Sequence, residues 1–348
     1  MDGGKKENLN IVKILNQNLL MNKEAITLKY YLNYLPLRIA VTDYCNLKCF
    51  FCSNEGMPLC NKNKTHININ ELKYLVKSLA NEGLKNVSIT GGEPTLHPQI
   101  IEIINFLNKF NFKNLFFHTN GINLTEKLVK KLSEGFTKIA ISLHSVNFKT
   151  WQKLTGGTKK QFKILISNLK MISKFSDRPL IELKYVPIKG YNDSEKEFKS
   201  FLELCNSFKF KFKFLNFEPI IQEHQGLEIP FEKIKETLIK IGCKFLGNDK
   251  YFRDQNRYLP IKKFKYKNIF GVAIEIGCGD PKVCKECYRV NEIFISPEMK
   301  IKPCHISDYQ IDLKKFINQK EKKKIFQTIV HSREFLFNAP GSGSRIWQ

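Results

Sequence analysis

The sequence predicts an α/β chain in which residues 36–225 form an open, partial (β/α)6 barrel of the TIM type and residues 226–348 a cysteine-bearing C-terminal extension. Three observations carry this prediction. Short apolar runs of strand length alternate with helical patterns between residues 37 and 217. Glycines, cysteines and polar residues follow those runs repeatedly. Beyond about residue 225 the alternation fades, and a second group of cysteines begins.

The predicted strands are Leu37–Val41, Asn86–Thr90, Asn114–His118, Lys138–Leu143, Leu180–Val186 and Phe212–Phe217. Apolar residues recur at three- and four-residue steps over Glu71–Leu79, Ile100–Leu107, Thr125–Leu132, Lys160–Ile172 and Glu195–Leu204, which predicts helices there. Thr125 and Ser194 stand where N-caps belong. Strands alternating with helices imply a parallel sheet with right-handed crossovers. Six units fit a partial barrel, although the same periodicity suits a doubly wound sheet. Either way, chemistry belongs at the C-terminal ends of the strands. Cys45–Cys52, Gly91–Pro94, Thr119–Gly121, Ser142–Ser145, Gly190–Asp193 and Glu218-Pro219 all fall at such ends. A polar, helical extension over residues 1–35 precedes the barrel, and a further helix is expected at Phe231–Ile241.

The chain has 348 residues and a formal net charge of +24. Lysines greatly outnumber arginines and are spread along the whole chain. They read as solvated faces, not as a base-reading surface, because arginine supplies the bidentate contacts to bases and phosphates. Nucleic acid is therefore not the expected partner, whereas an anionic substrate is compatible with the charge. No run of 18 apolar residues is present, so no membrane span is expected. The first residues lack the apolar core of a signal peptide, and the expected location is cytoplasmic.

Ten cysteines are many for such a chain. In a reducing compartment, clustered cysteines read as metal-binding or catalytic. Cys45, Cys49, Cys52 and Cys60 form one group, and Cys278, Cys284, Cys287 and Cys304 another. Cys205 and Cys243 lie in helical patterns and read as buried thiols. The first three have the spacing C-x3-C-x2-C. Thiolates prefer soft metals and iron–sulfur clusters. Three on one loop can hold three corners of a cubane and leave its fourth iron open. A zinc site would need a fourth ligand, for which Cys60 or His66 is at hand.

The triplet, with an aromatic residue before its last cysteine, resembles the radical S-adenosylmethionine (SAM) signature. Gly91-Gly-Glu-Pro94, after the second strand, resembles that family's SAM-binding motif. The resemblance covers roughly residues 36–220. It implies a [4Fe–4S] cluster on Cys45, Cys49 and Cys52, and SAM bound by Gly91, Gly92, Glu93 and Pro94. It also implies polar SAM contacts from Asn120 and Ser142, whose alternative readings are an Asn-Gly turn and a capping role. It further implies reductive cleavage of SAM to a radical that takes a hydrogen from a small-molecule substrate, with an electron donor such as flavodoxin or ferredoxin.

Within that superfamily the chain is most similar to the GTP 3′,8-cyclases of molybdopterin biosynthesis. Leu37–Cys45, Thr155-Gly-Gly157, Lys189–Asp193 and Lys213–Pro219 carry this similarity. That resemblance implies a nucleotide substrate contacted by Arg38, Lys213 and Arg289. It also implies a second, twitch-like cluster site at Cys284, Cys287 and Cys304, with Cys278 an added ligand. The same cysteines with His305 could instead close a zinc site. There are departures. His97 and Lys213 stand where those cyclases have arginine, and Glu182 replaces a strand-five lysine, with Lys184 two residues on. Three functions are therefore weighed: a cyclase-like rearrangement of a purine nucleotide, a radical dehydrogenase or epimerase acting on a peptide or small metabolite, and a zinc-dependent nucleic-acid-binding protein.

Overall fold

β1 (Leu37–Ala40), β2 (Asn86–Thr90), β3 (Asn114–Thr119), β4 (Lys138–Ser142), β5 (Leu180–Tyr185) and β6 (Lys211–Leu215) lie side by side in chain order, every neighbouring pair parallel. The computed structural model describes residues 28–29, 32–33, 36–52, 64–219, 222–248, 261–275, 292–303 and 309–338, the last six by backbone alone. Most of the expected N-terminal extension, Cys60, Cys278, Cys284, Cys287, Arg289, Cys304 and His305 lie outside the described residues.

Each strand alternates. Leu37 and Ile39, Val87 and Ile89, Leu115 and Phe117, Ile139 and Ile141, Ile181 and Leu183, and Phe212 and Phe214 are buried and form the layer under the helices. The alternate residues face the other side of the sheet. Helices α1 (Ile69–Asn81), α2 (Ile100–Leu107), α3 (Glu126–Ser133), α4 (Phe148–Thr155), α5 (Lys159–Ile172) and α6 (Glu195–Ser207) follow the strands as crossovers. On α1, Leu72, Leu75, Val76 and Leu79 form the buried stripe. The helix starts are chemically marked. Thr125 accepts from Leu128 N, Ser194 accepts from Glu197 N, and Thr158 with Gln161 forms a capping box.

The sheet does not stop at β6. Its order is β12-β11-β10-β1-β2-β3-β4-β5-β6-β9-β8-β7. On one side, β9 (Ile269–Ile274) runs parallel to β6 and is followed outward by β8 (Ile261–Tyr266) and β7 (Lys244–Asn248), both antiparallel. On the other, β10 (Ile293–Ile295) runs parallel to β1 and is followed outward by β11 (Lys300–Lys302) and β12 (Ile311–Asp312). The architecture is thus an open parallel barrel sheet, and residues beyond the expected boundary near 225 extend both of its edges. The expected helix after that boundary is α7 (Phe231–Lys240); α8 (Lys314–Asn318) and α9 (Lys322–Asn338) end the described chain. Cys205 and Cys243 are buried, as their patterns suggested. No helix among the described residues is long and apolar enough to cross a membrane.

Candidate active site

The loop after β1 carries Cys45, Cys49 and Cys52, and three neighbouring turns fix its course. The turn after β2 touches it first. Gly92 N donates to Thr42 O at 2.7 Å, and Glu93 N to Tyr44 O at 2.8 Å. A Cβ on Gly91 would stand 2.4 Å from Thr42 O, and one on Gly92 2.4 Å from Tyr44 O. Only glycine lets the two backbones meet so closely.

Thr155-Gly156-Gly157 supports the loop from another side. Lys48 N donates to Thr155 O and Phe50 N to Leu154 O, so the end of α4 pairs with the cysteine loop. A Cβ on Gly157 would lie 2.2 Å from the Trp151 ring and 3.0 Å from Leu47.

Glu93 links the glycine-rich turn to the end of β3. Its carboxylate accepts from Thr95 N (3.1 Å), Thr95 Oγ1 (2.7 Å), Thr119 Oγ1 (2.8 Å) and Asn120 N (2.6 Å). Burial pushes its pKa up, and these donors oppose that push. Pro94 is buried at the first position of a short 3-10 turn. Asn120 fills two roles. Its Oδ1 accepts from Ile122 N, which is the local turn, and its Nδ2 donates to Asn46 Oδ1 at 2.7 Å and lies 3.9 Å from Cys45 Sγ. Ser142, at the end of β4, is half-buried on the sheet face opposite the helices.

An aromatic wall flanks the loop, in which Cys45 and Cys49 are half-buried and Cys52 is exposed. Phe51 meets His144 edge-on at 4.9 Å, and Phe50 lies 5.0 Å from Tyr191 and 5.6 Å from His224. Burial pushes the His144 pKa down to about 3, so its ring is neutral and its Nδ1 accepts from Val186 N. Buried Asn192 fastens this wall. Its Nδ2 donates to His144 O and Val186 O, and its Oδ1 accepts from Ile188 N.

Cys45, Cys49 and Cys52 lie close enough on the loop to sense one another. Burial pushes the Cys45 thiol up to about 11 and Cys49 further up, and both sense Cys52 as a neighbouring charge. Among the described residues no three ligand-type side chains converge as on a single ion. A cubane does not ask for that, since each thiolate takes its own iron. His66 bridges to Thr42 and packs edge-on against His97.

The sheet face opposite the helices is charged. Arg38 Nη1 pairs with Glu292 at 3.0 Å, and its Nη2 donates to Thr90 Oγ1. Lys138 pairs with Glu182 at 3.3 Å. Half-buried Lys213 lies in the field of Glu182, Lys138, Glu292 and Arg38. Lys184 Nζ stands 2.6 Å from His118 Nδ1. Arg38 and Lys213, expected at a substrate site, therefore do share one face. Lys184, the lysine two residues after Glu182, joins them, as do Lys138 and His118, which carry no signal in linear sequence because only the strand register brings them there. His97 is elsewhere: its Nδ1 accepts from Gln99 N and its Nε2 donates to Ile67 O, so the backbone occupies both nitrogens.

The model of the Radical SAM superfamily matches residues 39–204. Just under half of the chain is thus similar to the radical SAM superfamily. The chain is 28% identical over 307 residues to the GTP 3′,8-cyclase of Clostridium acetobutylicum, covering 86% of this chain and 90% of that protein. It is 28% identical over 292 residues to the GTP 3′,8-cyclase of Listeria welshimeri, covering 81% and 83%. In fold it is similar to Streptococcus suis SuiB bound to S-adenosylmethionine, with a TM-score of 0.60 at 15% identity over 95% of this chain and 78% of that one. It is also similar in fold to anSMEcpe with bound AdoMet, with a TM-score of 0.54 at 18% identity over 84% and 82%. The similarity to that superfamily implies a [4Fe–4S] cluster and SAM as cofactors and a small molecule as substrate.

Proposed function

We propose that Cys45, Cys49 and Cys52 hold the [4Fe–4S] cluster, that Gly91, Gly92, Glu93, Pro94, Asn120 and Ser142 line SAM, and that the substrate is a purine nucleotide rearranged as by a GTP 3′,8-cyclase. When bound, cluster and SAM supply one-electron cleavage of SAM and a hydrogen-abstracting radical. The protein does the positioning. Glu93 and Asn120 lock two strand ends against the cysteine loop, and Phe50, Phe51 and His144 keep water from it. Arg38 and Lys213 offer positive charge to the substrate's phosphates.

The observation that carries the nucleotide reading is the cationic sheet face, taken with the names of the relatives. The C-terminal part, residues 226–348, holds a second cluster on Cys284, Cys287 and Cys304, with Cys278 able to close it. Arg289 lies in the same segment. Flavodoxin or ferredoxin supplies the electron. The test is release of 5′-deoxyadenosine by the anaerobically reconstituted enzyme. GTP should raise it well above the background without nucleotide. If GTP and other nucleotides leave it at background, the nucleotide reading is overturned.

A second reading draws on His97 and Glu182. The first has both nitrogens committed to backbone, and the second adds a carboxylate where those cyclases carry lysine. Both changes weaken a triphosphate clamp and favour a radical dehydrogenase or epimerase with a closed second cluster. Cys278→Ala separates the readings: loss of the second cluster's spectrum would mean four-cysteine ligation and no open iron for substrate.

A further inference from the structure

The interior of a barrel sheet is ordinarily packed with apolar side chains. Here it is not. Arg38, Lys138, Glu182, Lys184 and Lys213 alternate with the buried apolar layer under the helices, and Glu292 reaches them from the start of β10. These side chains are not sealed: those of Arg38 and Glu292 keep 13% and 29% of their exposure. Charges held this deep are costly unless they are paired or used. Glu292 pairs with Arg38 and Glu182 with Lys138, so among these side chains four cations share the interior with two carboxylates, an excess of positive charge.

His118, on the same face of β3, gives that excess a direction. An ammonium group can only donate, so the 2.6 Å contact makes His118 Nδ1 the acceptor from Lys184 Nζ. Burial and the surrounding cations push the His118 pKa well down, so the ring is neutral. A neutral imidazole whose Nδ1 accepts carries its proton on Nε2. That Nε2 is buried and has no hydrogen-bond partner among the described residues. A buried donor left unmatched is costly, and a ligand acceptor would remove that cost.

We propose that His118 and Lys184 are specificity-determining residues, the Nε2–H of His118 donating to an oxyanion of the bound ligand while Lys184 fixes the imidazole. The inference deepens the nucleotide reading and rests on it for the ligand's identity. The oxyanion is a phosphate oxygen of the substrate or the carboxylate of SAM, and the two sources are separable.

The experiment is calorimetric titration of the reconstituted holoenzyme, separately with SAM, with GTP and with inorganic pyrophosphate. It is run on wild type, His118→Phe, His118→Gln and Lys184→Met, each checked for folding by circular dichroism. His118→Phe should weaken one ligand about tenfold, the weight of one hydrogen bond to a charged group. His118→Gln, which keeps an N–H donor, should lose less. Loss confined to GTP and pyrophosphate assigns the phosphate; loss confined to SAM assigns its carboxylate. The nitrogen-15 spectrum of the wild-type imidazole should report the Nε2–H tautomer, and Lys184→Met should mix the tautomers. Unchanged affinities for all three ligands in folded variants, or an Nδ1–H tautomer in the wild type, would overturn the inference. Failure of the radical SAM assignments themselves would appear differently, as a wild-type enzyme that cleaves no SAM.

Discussion

The Glu93 carboxylate accepts the backbone N–H of Asn120 at 2.6 Å, which makes the turns after β2 and β3 one unit. The same turns press on the cysteine loop, through Gly92 on one side and Asn120 Nδ2 on the other. Three strand ends therefore set the position of Cys45 together.

Glu93→Gln tests that coupling. Both carboxylate oxygens face donors, so an amide nitrogen at either place puts donor against donor. A loss of about 1–3 kcal/mol is expected in denaturant unfolding, together with weaker SAM binding. Unchanged stability and affinity would mean that the carboxylate is not the strut described.

Two glycines separate close approach from backbone conformation. At Gly92 an added Cβ meets Tyr44 O at 2.4 Å and Asp43 O at 2.7 Å, backbone atoms that cannot move without moving the loop. At Gly190 φ is +78° and nothing lies within 4 Å. Gly92→Ala should lower the iron content of reconstituted protein severely. Gly190→Ala should cost about 1 kcal/mol of stability and leave the iron content intact.

Asn192→Ala should be among the more damaging single changes outside the cysteine loop. It removes three hydrogen bonds, one that joins the turn after β5 to His144 O after β4 and two, with Val186 O and Ile188 N, that hold that turn together. A loss of about 2–4 kcal/mol is expected, with Phe51 less well shielded and cluster decay in air faster. A variant as stable as wild type would show that the Phe217 and Leu154 packing holds this wall alone.

Glu218 gives the fold a pH dependence of defined sign. Burial, with Glu275 and Glu228 adding repulsion, pushes its carboxyl from 4.5 up to about 7. Between those values the folded chain keeps a proton that the unfolded chain has released, so this group's contribution to stability falls as pH rises through the window. Glu218→Gln keeps an acceptor for Asn216 Nδ2, which donates to Oε1 at 2.6 Å. It should leave stability at pH 4.5 nearly unchanged and raise it above pH 7 by about 1 kcal/mol, solvent screening much of the shift. Melting curves at the two ends of the window check this.

Much of this was legible in the sequence because the strands are short apolar runs with chemistry at their ends. The Cys45 triplet, Gly91–Pro94 and Asn120 lie after three successive strands, and the register brings them together. Helix α4 was not read, since Phe148, Trp151 and Leu154 give only two turns of pattern before Gly156 ends it. β8 gives no clear strand signal in the sequence because lysines separate Ile261, Phe264 and Tyr266, which are nonetheless buried. The interior charges were legible only in part. Arg38 and Lys213 sit in quotable motifs, whereas Lys138, Lys184 and His118 become neighbours only through parallel pairing. His97 shows the converse: it stands where the cyclases have arginine, and both its ring nitrogens are taken by the backbone here.

The most direct test of the central claim is iron, sulfide and zinc analysis of anaerobically purified chain, beside a Cys45→Ala/Cys49→Ala/Cys52→Ala variant. The expected result is iron with matching sulfide, about eight irons per chain if both cysteine groups carry cubanes, falling by about four in the variant. Zinc in place of iron and sulfide, with no SAM binding, would contradict the account.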